Sequence, residues 1–227
     1  MMRPFLYLIV LAAILLSACE STVTTGDINP DRIRVTYDLH YEGGRDITFA
    51  TVNFYVGNER LKLSEGSITF NGETLQEKAF QGNFYEREYA GLVSNGTFVY
   101  TDADGRRYRN TVQMPEPISV PQGLPAVDND SAYSFSWQDA PVRSGETIWF
   151  SAYRLTGLDN RLVFKEIKRA GSAEVLTDAK AWESIPPGDI NFVLERRRAS
   201  ALQEGTSAGG EITERYTSDD RPVPVRD

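Results

Sequence analysis

Arg32-Ile33-Arg34-Val35-Thr36-Tyr37-Asp38-Leu39-His40-Tyr41 alternates without a break. Ile33, Val35, Tyr37, Leu39 and Tyr41 are apolar, and the residues between them are polar. Successive side chains of a strand point to opposite faces, so a period of two reads as a half-buried strand with five inward side chains. The neighbouring sequence keeps this style. Gly43-Gly44 turns the chain, and a second strand follows in which Ile47 and Phe49 hold one parity and Val52, Phe54 and Val56 the other. Such a phase change predicts a β-bulge near Ala50-Thr51. Ser67–Phe70 runs into Asn71-Gly72, a strong hairpin signal, and Thr97–Thr101 and Arg107–Val112 flank the turn Asp102-Ala103-Asp104-Gly105. Helical periodicity is absent up to Pro115. Short strands between frequent turns predict an all-β fold of sandwich type.

Met114–Ala126 holds four prolines and one glycine and reads as a linker. The expected division is therefore a signal segment at 1–18, a tether at 19–31, one β-sandwich at 32–114, a Pro-rich linker at 115–126 and a second β-sandwich at 127–227. In the second half Tyr133, Phe135 and Trp137 alternate with serines, Thr147–Leu155 is nearly continuously apolar, and a Gly157–Asn160 turn leads to Leu162–Ile167. Ile190, Phe192 and Leu194 alternate again, Thr177–Ser184 suits a single helical turn, and Ile212–Thr217 and Pro222–Val225 supply the last strands. The run Ser131–Leu155, with Trp137 closing one strand before a second aromatic strand, resembles a fibronectin type III or other immunoglobulin-like domain. The resemblance implies tandem immunoglobulin-like sandwiches and carries no function with it.

The first nineteen residues state an address. Arg3 supplies a positive start, Phe5–Leu16 is unbroken apolar sequence, and Ser17-Ala18-Cys19 follows. This is the layout of a cleavable export signal. Twelve apolar residues make about 18 Å of helix, short of a hydrocarbon core of about 30 Å. Leu16-Ser17-Ala18-Cys19 resembles the lipobox of bacterial lipoproteins. The resemblance implies that Cys19 is diacylglycerated, that the signal is cut before it, and that the new amino terminus is acylated with a chain such as palmitate. It also implies a cell-envelope location, and the outer membrane in particular, because Glu20 stands where an inner-membrane retention signal has Asp. Two or more acyl chains hold stably where one does not.

Composition narrows the rest. The 227 residues carry 24 basic and 32 acidic side chains, a net charge of −8. Cutting 18 residues from 227 leaves 209 and removes only Arg3, so 23 basic against 32 acidic side chains give −9. Such a surface repels phosphate backbones, and no nucleic acid partner is expected. Cys19 is the single cysteine, so once it is acylated no thiol remains for disulfides, thiolate metal sites or cysteine catalysis.

His40 is the single histidine, and a histidine-based nucleophile or zinc site would have to use it. Its parity puts it on the solvent face of the first strand. Asp102 and Asp104 open like a calcium loop, but Arg106 and Gln113 stand where such a loop needs its next ligand and its closing Glu. Asp128 and Asp130 are further calcium candidates at the start of the second unit. No metal, cofactor or catalytic residue is assigned. Glu86 and Glu88 share a strand face, Arg196-Arg197-Arg198 could grip an anion or simply charge a strand end, and no phosphate loop or nucleophile elbow occurs. Of the tryptophans, Trp137 and Trp149 are read as core and Trp182 as the one facing a ligand or partner. The reading is a lipid-anchored, non-enzymatic binding, scaffolding or assembly module with an envelope protein or glycan partner. The alternatives are a carboxylate enzyme acting on glycans and a carrier of a hydrophobic ligand.

Overall fold

The computed structural model describes residues 23–78, 83–154 and 161–227. Leu16, Ser17, Ala18 and Cys19 lie outside these residues, as does the expected turn at 157–160. Among the described residues every regular element is a strand or a short 3₁₀ turn. The first half contains β1 (Arg34–Glu42), β2 (Ile47–Val56), β3 (Glu59–Leu61), β4 (Ser67–Phe70), β5 (Glu73–Thr74), β6 (Gln76–Lys78), β7 (Phe84–Ala90), β8 (Asn95–Thr101) and β9 (Arg107–Gln113). The second contains β10 (Val127–Asp128), β11 (Tyr133–Ser136), β12 (Glu146–Tyr153), β13 (Arg161–Ile167), β14 (Glu174–Thr177), β15 (Gly188–Ala201), β16 (Gly210–Thr217) and β17 (Arg221–Arg226).

An eleven-stranded sheet runs β10-β17-β15-β16-β1-β2-β7-β6, with β12 and β13 extending from β15 and β3 from β2. The sheet β5-β4-β8-β9 covers one half of it and the pair β11-β14 the other, so the protein is a pair of β-sandwiches sharing one large sheet. Each sandwich has its own core. In the first, Val35, Tyr37 and Leu39 of β1 meet Phe70 and Phe98 of the small sheet, with the Phe98 ring 4.6 Å from Phe70 and 5.1 Å from Tyr37. In the second, Phe192 of β15 is ringed by Phe150 at 4.9 Å, Tyr133 and Phe135 at 5.8 Å and Trp182 at 5.9 Å. Burying each such ring removes 150–250 Å² or so from water, which makes these clusters the main source of stability.

The boundary between the sandwiches differs from the expected one. β15 and β16 form a hairpin that serves both. β15 begins in the second core with Ile190, Phe192 and Leu194, and β16, which pairs back on it, puts Ile212 into the first. β16 also pairs in parallel with β1, from Val35↔Gly210 to Glu42↔Thr217. β17 then continues β16 along β15 with its register shifted by one residue. Ser218–Asp220 make that bulge, where the Ser218 N–H bonds Leu194 O at 2.8 Å and the Leu194 N–H bonds Ser218 Oγ at 3.1 Å. Residues 115–126 are not a free linker either, because Ile118 and Val120 are buried in the second core.

Two other local expectations change, and two hold. β2 pairs with β1 over its length without a register shift, so there is no bulge at Ala50-Thr51; Ile47 and Phe49 simply face outward. A register irregularity lies instead at Ala152/Tyr153. The expected tether is docked from Val23 onward. Thr25 N–H bonds Lys62 O, Gly26 N–H bonds Ser64 Oγ at 3.0 Å, and Thr25 is buried. The expected hairpin turn at Asn71-Gly72 is present with both residues at positive φ, 51° and 84°. The helical turn expected at 177–184 is a single 3₁₀ turn, Ala179–Ala181, capped by Asp178.

Between the two cores the inner face of the hairpin is charged. Arg196, fully buried, pairs with Glu146 at 3.0 Å and donates to the carbonyls of Ala140 and Pro141. Arg198 pairs with buried Glu214 at 3.2 Å and donates to Gln113 O at 2.7 Å. Breaking a buried ion pair from one side costs about 3–5 kcal/mol, whereas replacing both partners with apolar groups costs little. Glu146→Ala is therefore expected to lower unfolding stability in urea by that amount, and Glu146→Leu with Arg196→Met to recover most of it. A single mutant as stable as the wild type would show that the pair does not hold the seam. At the hairpin tip, a Cβ on Gly210 would come 1.8 Å from Val35 O, and its φ is 154°. Gly210→Ala should cost about 2–4 kcal/mol by parting β16 from β1, read as a lower urea midpoint.

Candidate functional site

Directly opposed residues of neighbouring strands share a face, so the pairing register identifies what the large sheet presents outward. One row crosses six strands as Glu88, Phe49, His40, Arg215, Arg197 and Thr147. The next contains Glu42, Thr217, Glu195, Trp149 and Glu166. This face spans both sandwiches and carries the most elaborate polar chemistry of the described residues.

At its centre, where β1 meets β16, Arg215 grips Asp38 through two nitrogens, with Nε donating to Oδ1 at 2.9 Å and Nη2 to Oδ2. Arg215 Nη1 also lies 3.8 Å from Glu195 Oε2. The Thr217 hydroxyl donates to Glu195 at 3.3 Å, so its oxygen accepts from His40 Nε2 at 2.9 Å. His40 is thus on the outer face, as its parity implied, but it is half-buried against Phe49. Burial, helped by the Arg215 charge and opposed by Asp38, pushes its imidazole down to about 4. Burial likewise raises the Glu195 carboxyl, with Arg215 and Arg197 pulling the other way. A neutral histidine held to a threonine is a structural bridge across the parallel seam. The Thr217 hydroxyl directs its proton to Glu195 and not to the imidazole.

The aromatic end of the face belongs to the second sandwich. Trp149 is partly exposed, with its Nε1–H on Glu166 at 3.2 Å, the Arg197 guanidinium 5.0 Å over its ring and Phe164 edge-on at 5.7 Å. Phe164 is 45% exposed. Trp137 lies in the core as expected, and the other two tryptophans are placed differently. Trp182 is fully buried in the second core, with its Nε1–H on Thr177 Oγ1 at 2.8 Å, and faces no ligand. Trp149, expected in the core, points outward. Its parity was readable, because it alternates with Ile148, Phe150 and Ala152, which are the buried set.

Most of the other candidates are engaged within the fold. Asp102 is buried, and its carboxylate accepts from the N–H groups of Asp104 and Arg106, from Arg106 Nε and from the Tyr108 hydroxyl. That is a capped turn, with its oxygens spent on internal donors. Asp104 pairs with Arg106 at 3.4 Å, Asp128 lies exposed in the edge strand β10, and Asp130 accepts from Ser131 Oγ. Among the described residues no three His, Cys, Asp or Glu side chains converge on one point. Glu86 and Glu88 share one cation, Lys78, at 3.8 and 3.7 Å. Arg196 is buried in the seam, Arg198 reaches from the seam to a cleft at its edge, and Arg197 is on the outer face. A polar cleft of about 730 Å³ lies between the hairpin and the small sheet, floored by Arg198 and Glu214 and walled by Asn71, Thr97, Gln113 and Gln203.

No protein family matches the sequence, and no curated relative does. Among solved structures, the FN1–FN3 domains of chicken CNTN1 align over 85% of this chain and 67% of theirs, at 11% identity and a TM-score of 0.30. The fibronectin(III)-like modules of Clostridium thermocellum CbhA align over 85% of this chain and 92% of theirs, at 11% identity and a TM-score of 0.27. The Yersinia pseudotuberculosis adhesin InvE aligns over 88% and 60%, at 12% identity and a TM-score of 0.24. The all-β assignment rests on the strand pairing itself.

The His40 bridge has a pH signature. A histidine at 6.5 unfolded and about 4 folded resists protonation in the fold, so the stability it allows is complete above 6.5 and is lost as pH falls towards 4. Glu195, raised by burial, works in the opposite sense, because its protonation in acid relieves a buried charge. His40→Gln can keep the bond to Thr217 while removing the ionisation, which separates the two. The stability difference between wild type and variant should grow in favour of the wild type from pH 4 to 6.5 and then level off. A difference that is flat across that range would remove His40 from this role.

Proposed function

We propose that the protein is a lipid-anchored module of the bacterial cell envelope, held by acylated Cys19 in the outer membrane, that binds or scaffolds another envelope protein without catalysing a reaction. The observation that carries this reading is the outer face of the shared sheet. It places Trp149 and Arg197, residue types enriched in protein-binding hot spots, and the exposed ring of Phe164 beside hydrogen-bonded polar groups on rigid strands. The carboxylate chemistry of the described residues supports the non-enzymatic side, because Glu86, Glu88, Asp38 and Glu195 are all tied to cations or hydroxyls of the same face. The packed aromatic cores favour a binding surface over a carrier of hydrophobic ligands.

The test is a pull-down of the tagged protein from detergent-solubilised envelope, read by mass spectrometry. A stoichiometric protein partner is expected with the wild type and with Cys19→Ala, since recognition resides in the strands. Trp149→Ala should reduce its recovery about tenfold or more. Equal recovery with Trp149→Ala would remove this face from the binding site. Recovery of no protein would overturn the reading and move the search to envelope glycans.

A further inference from the structure

The docked segment before β1 bears on how the protein stands on a membrane, given the acylation of Cys19 proposed above. Val23 is the first described residue, four positions after Cys19. From there the chain is fastened: Lys62 N–H bonds Val23 O, Thr25 N–H bonds Lys62 O at 2.8 Å, and Gly26 N–H bonds Ser64 Oγ. Thr24 and Ser64 share a hydroxyl bond at 2.9 Å, and Ser64 N–H bonds the buried Thr25 hydroxyl at 3.1 Å. Four residue steps span at most about 14 Å even when fully extended. The Cys19 backbone can therefore lie no farther than that from Val23, and its lipid is attached within a side chain's length of that point.

The strand directions then orient the molecule. The docked segment precedes β1 and joins the loop that leads to Glu65, which accepts the Thr25 hydroxyl at its carbonyl. The Asp102–Arg106 turn shares this end through the Arg106–Asp31 pair at 3.0 Å, and the hairpin tip shares it through Thr206, whose hydroxyl bonds Ile33 O. β16 starts here, beside the start of β1, and runs parallel to it; β17 continues in the same direction into the second sandwich. The path from Gly210 to Arg226 is about 50 Å at the rise of a strand. Its far end pairs with β10, Arg226 beside Asp128.

We infer that acylated Cys19 holds the first sandwich directly against the bilayer, with the 62–66 loop and the 102–106 turn facing the lipid, and that the shared hairpin projects the second sandwich away from it. The lipid surface is the partner of this end. Asp27, Asp31 and Glu65 stand there beside Arg32, Lys62 and Arg106, so the short covalent reach sets the orientation and headgroup charge does not.

Cys19 is the single cysteine, so after acylation an introduced thiol is unique. Glu65→Cys and Asp128→Cys variants, both at exposed positions, are purified in acylated form, labelled with a fluorophore and reconstituted into phosphatidylethanolamine–phosphatidylglycerol vesicles carrying nitroxide-headgroup lipid. Quenching is expected to be several-fold stronger at position 65 than at 128. Asp104→Cys, on the neighbouring turn, gives an independent near position. A flexible insert of about twenty Gly/Ser residues after Glu20, with a span of about 25 Å, should bring the near and far readings together. Equal quenching at 65 and 128 in acylated protein without the insert would overturn the orientation and leave the anchor intact. Mass spectrometry finding Cys19 unacylated in protein from the envelope would overturn the anchor, and the orientation with it.

Discussion

The parallel pairing of β16 with β1 is the constraint on which the rest of this structure depends. A strand at the edge of a sheet exposes a row of unpaired N–H and C=O groups, which must find partners or be protected. Without β16, β1 would be such an edge. The hairpin that supplies β16 also closes the neighbouring edge of the small sheet, and it does so with side chains. The Gln203 amide accepts from Thr111 N–H at 2.6 Å and donates to Thr111 O at 2.9 Å, imitating a strand. Asn110 answers from the other side, accepting from Gln203 N–H and donating to Glu204 O. One hairpin thus seals both layers of the first sandwich along the same flank.

Having joined the first sandwich, the hairpin must cross into the second, and there its inner face changes character. Leu194 and Ile212 belong to different cores, and between them Arg196, Arg198, Glu214 and Tyr216 face inward. The ion pairs at this crossing are a weak source of net stability, because burying charges costs several kcal/mol per ion before pairing recovers it. Their effect is on register. A slip of one residue would turn both guanidiniums outward and the apolar set with them; a slip of two would drive Arg196 into the aromatic ring around Phe192. The seam allows one alignment of the hairpin, and that alignment lets Gly210 meet Val35 and Ser218 meet Leu194.

Local alternation was legible in the sequence, and so was the all-β class. The parity of Arg32–Tyr41 foretold the buried set of β1 and the outward position of His40, and Asn71-Gly72 foretold its turn. The failures share a physical cause. Whether Ile47 and Phe49 mark a bulge or simply lie on the outer face is decided by a register partner, and the partner is not written locally. The docked stretch 23–31 looked like a tether because its bonds run to Lys62 and Ser64, through backbone and hydroxyl groups that carry no hydrophobic signal. The apolar alternation of β15 stops at Leu194 because its inward positions continue as Arg196 and Arg198, and a pattern of apolar residues ends at an arginine even where the strand does not. The placement of Trp149 and Trp182 is hidden for a related reason. A continuous apolar run hides which parity is buried, and a tryptophan in the polar sequence AKAWESIPP gives no sign that Thr177 waits for its N–H.

The same non-local pairing links folding to the proposed role. β1 and β16 are separated by most of the chain, so the first sandwich cannot close until the last strands have formed. Loop closure over such a distance adds only logarithmically to the entropic cost, but it slows the search, since the contact forms late and the edge of β1 stays exposed meanwhile. Two independently folding modules on a flexible linker would avoid that delay. They would also lose what the shared sheet provides. A linker lets a distal module tumble relative to its anchor, whereas strands paired from β6 to β10 transmit orientation from the docked segment at Val23 to the Trp149 face. For a scaffold at a membrane the fixed direction of that face governs which partners can meet it, because a rigid presentation leaves less orientational freedom to be lost on binding. The slow, non-local closure and the directed surface are two consequences of one hairpin.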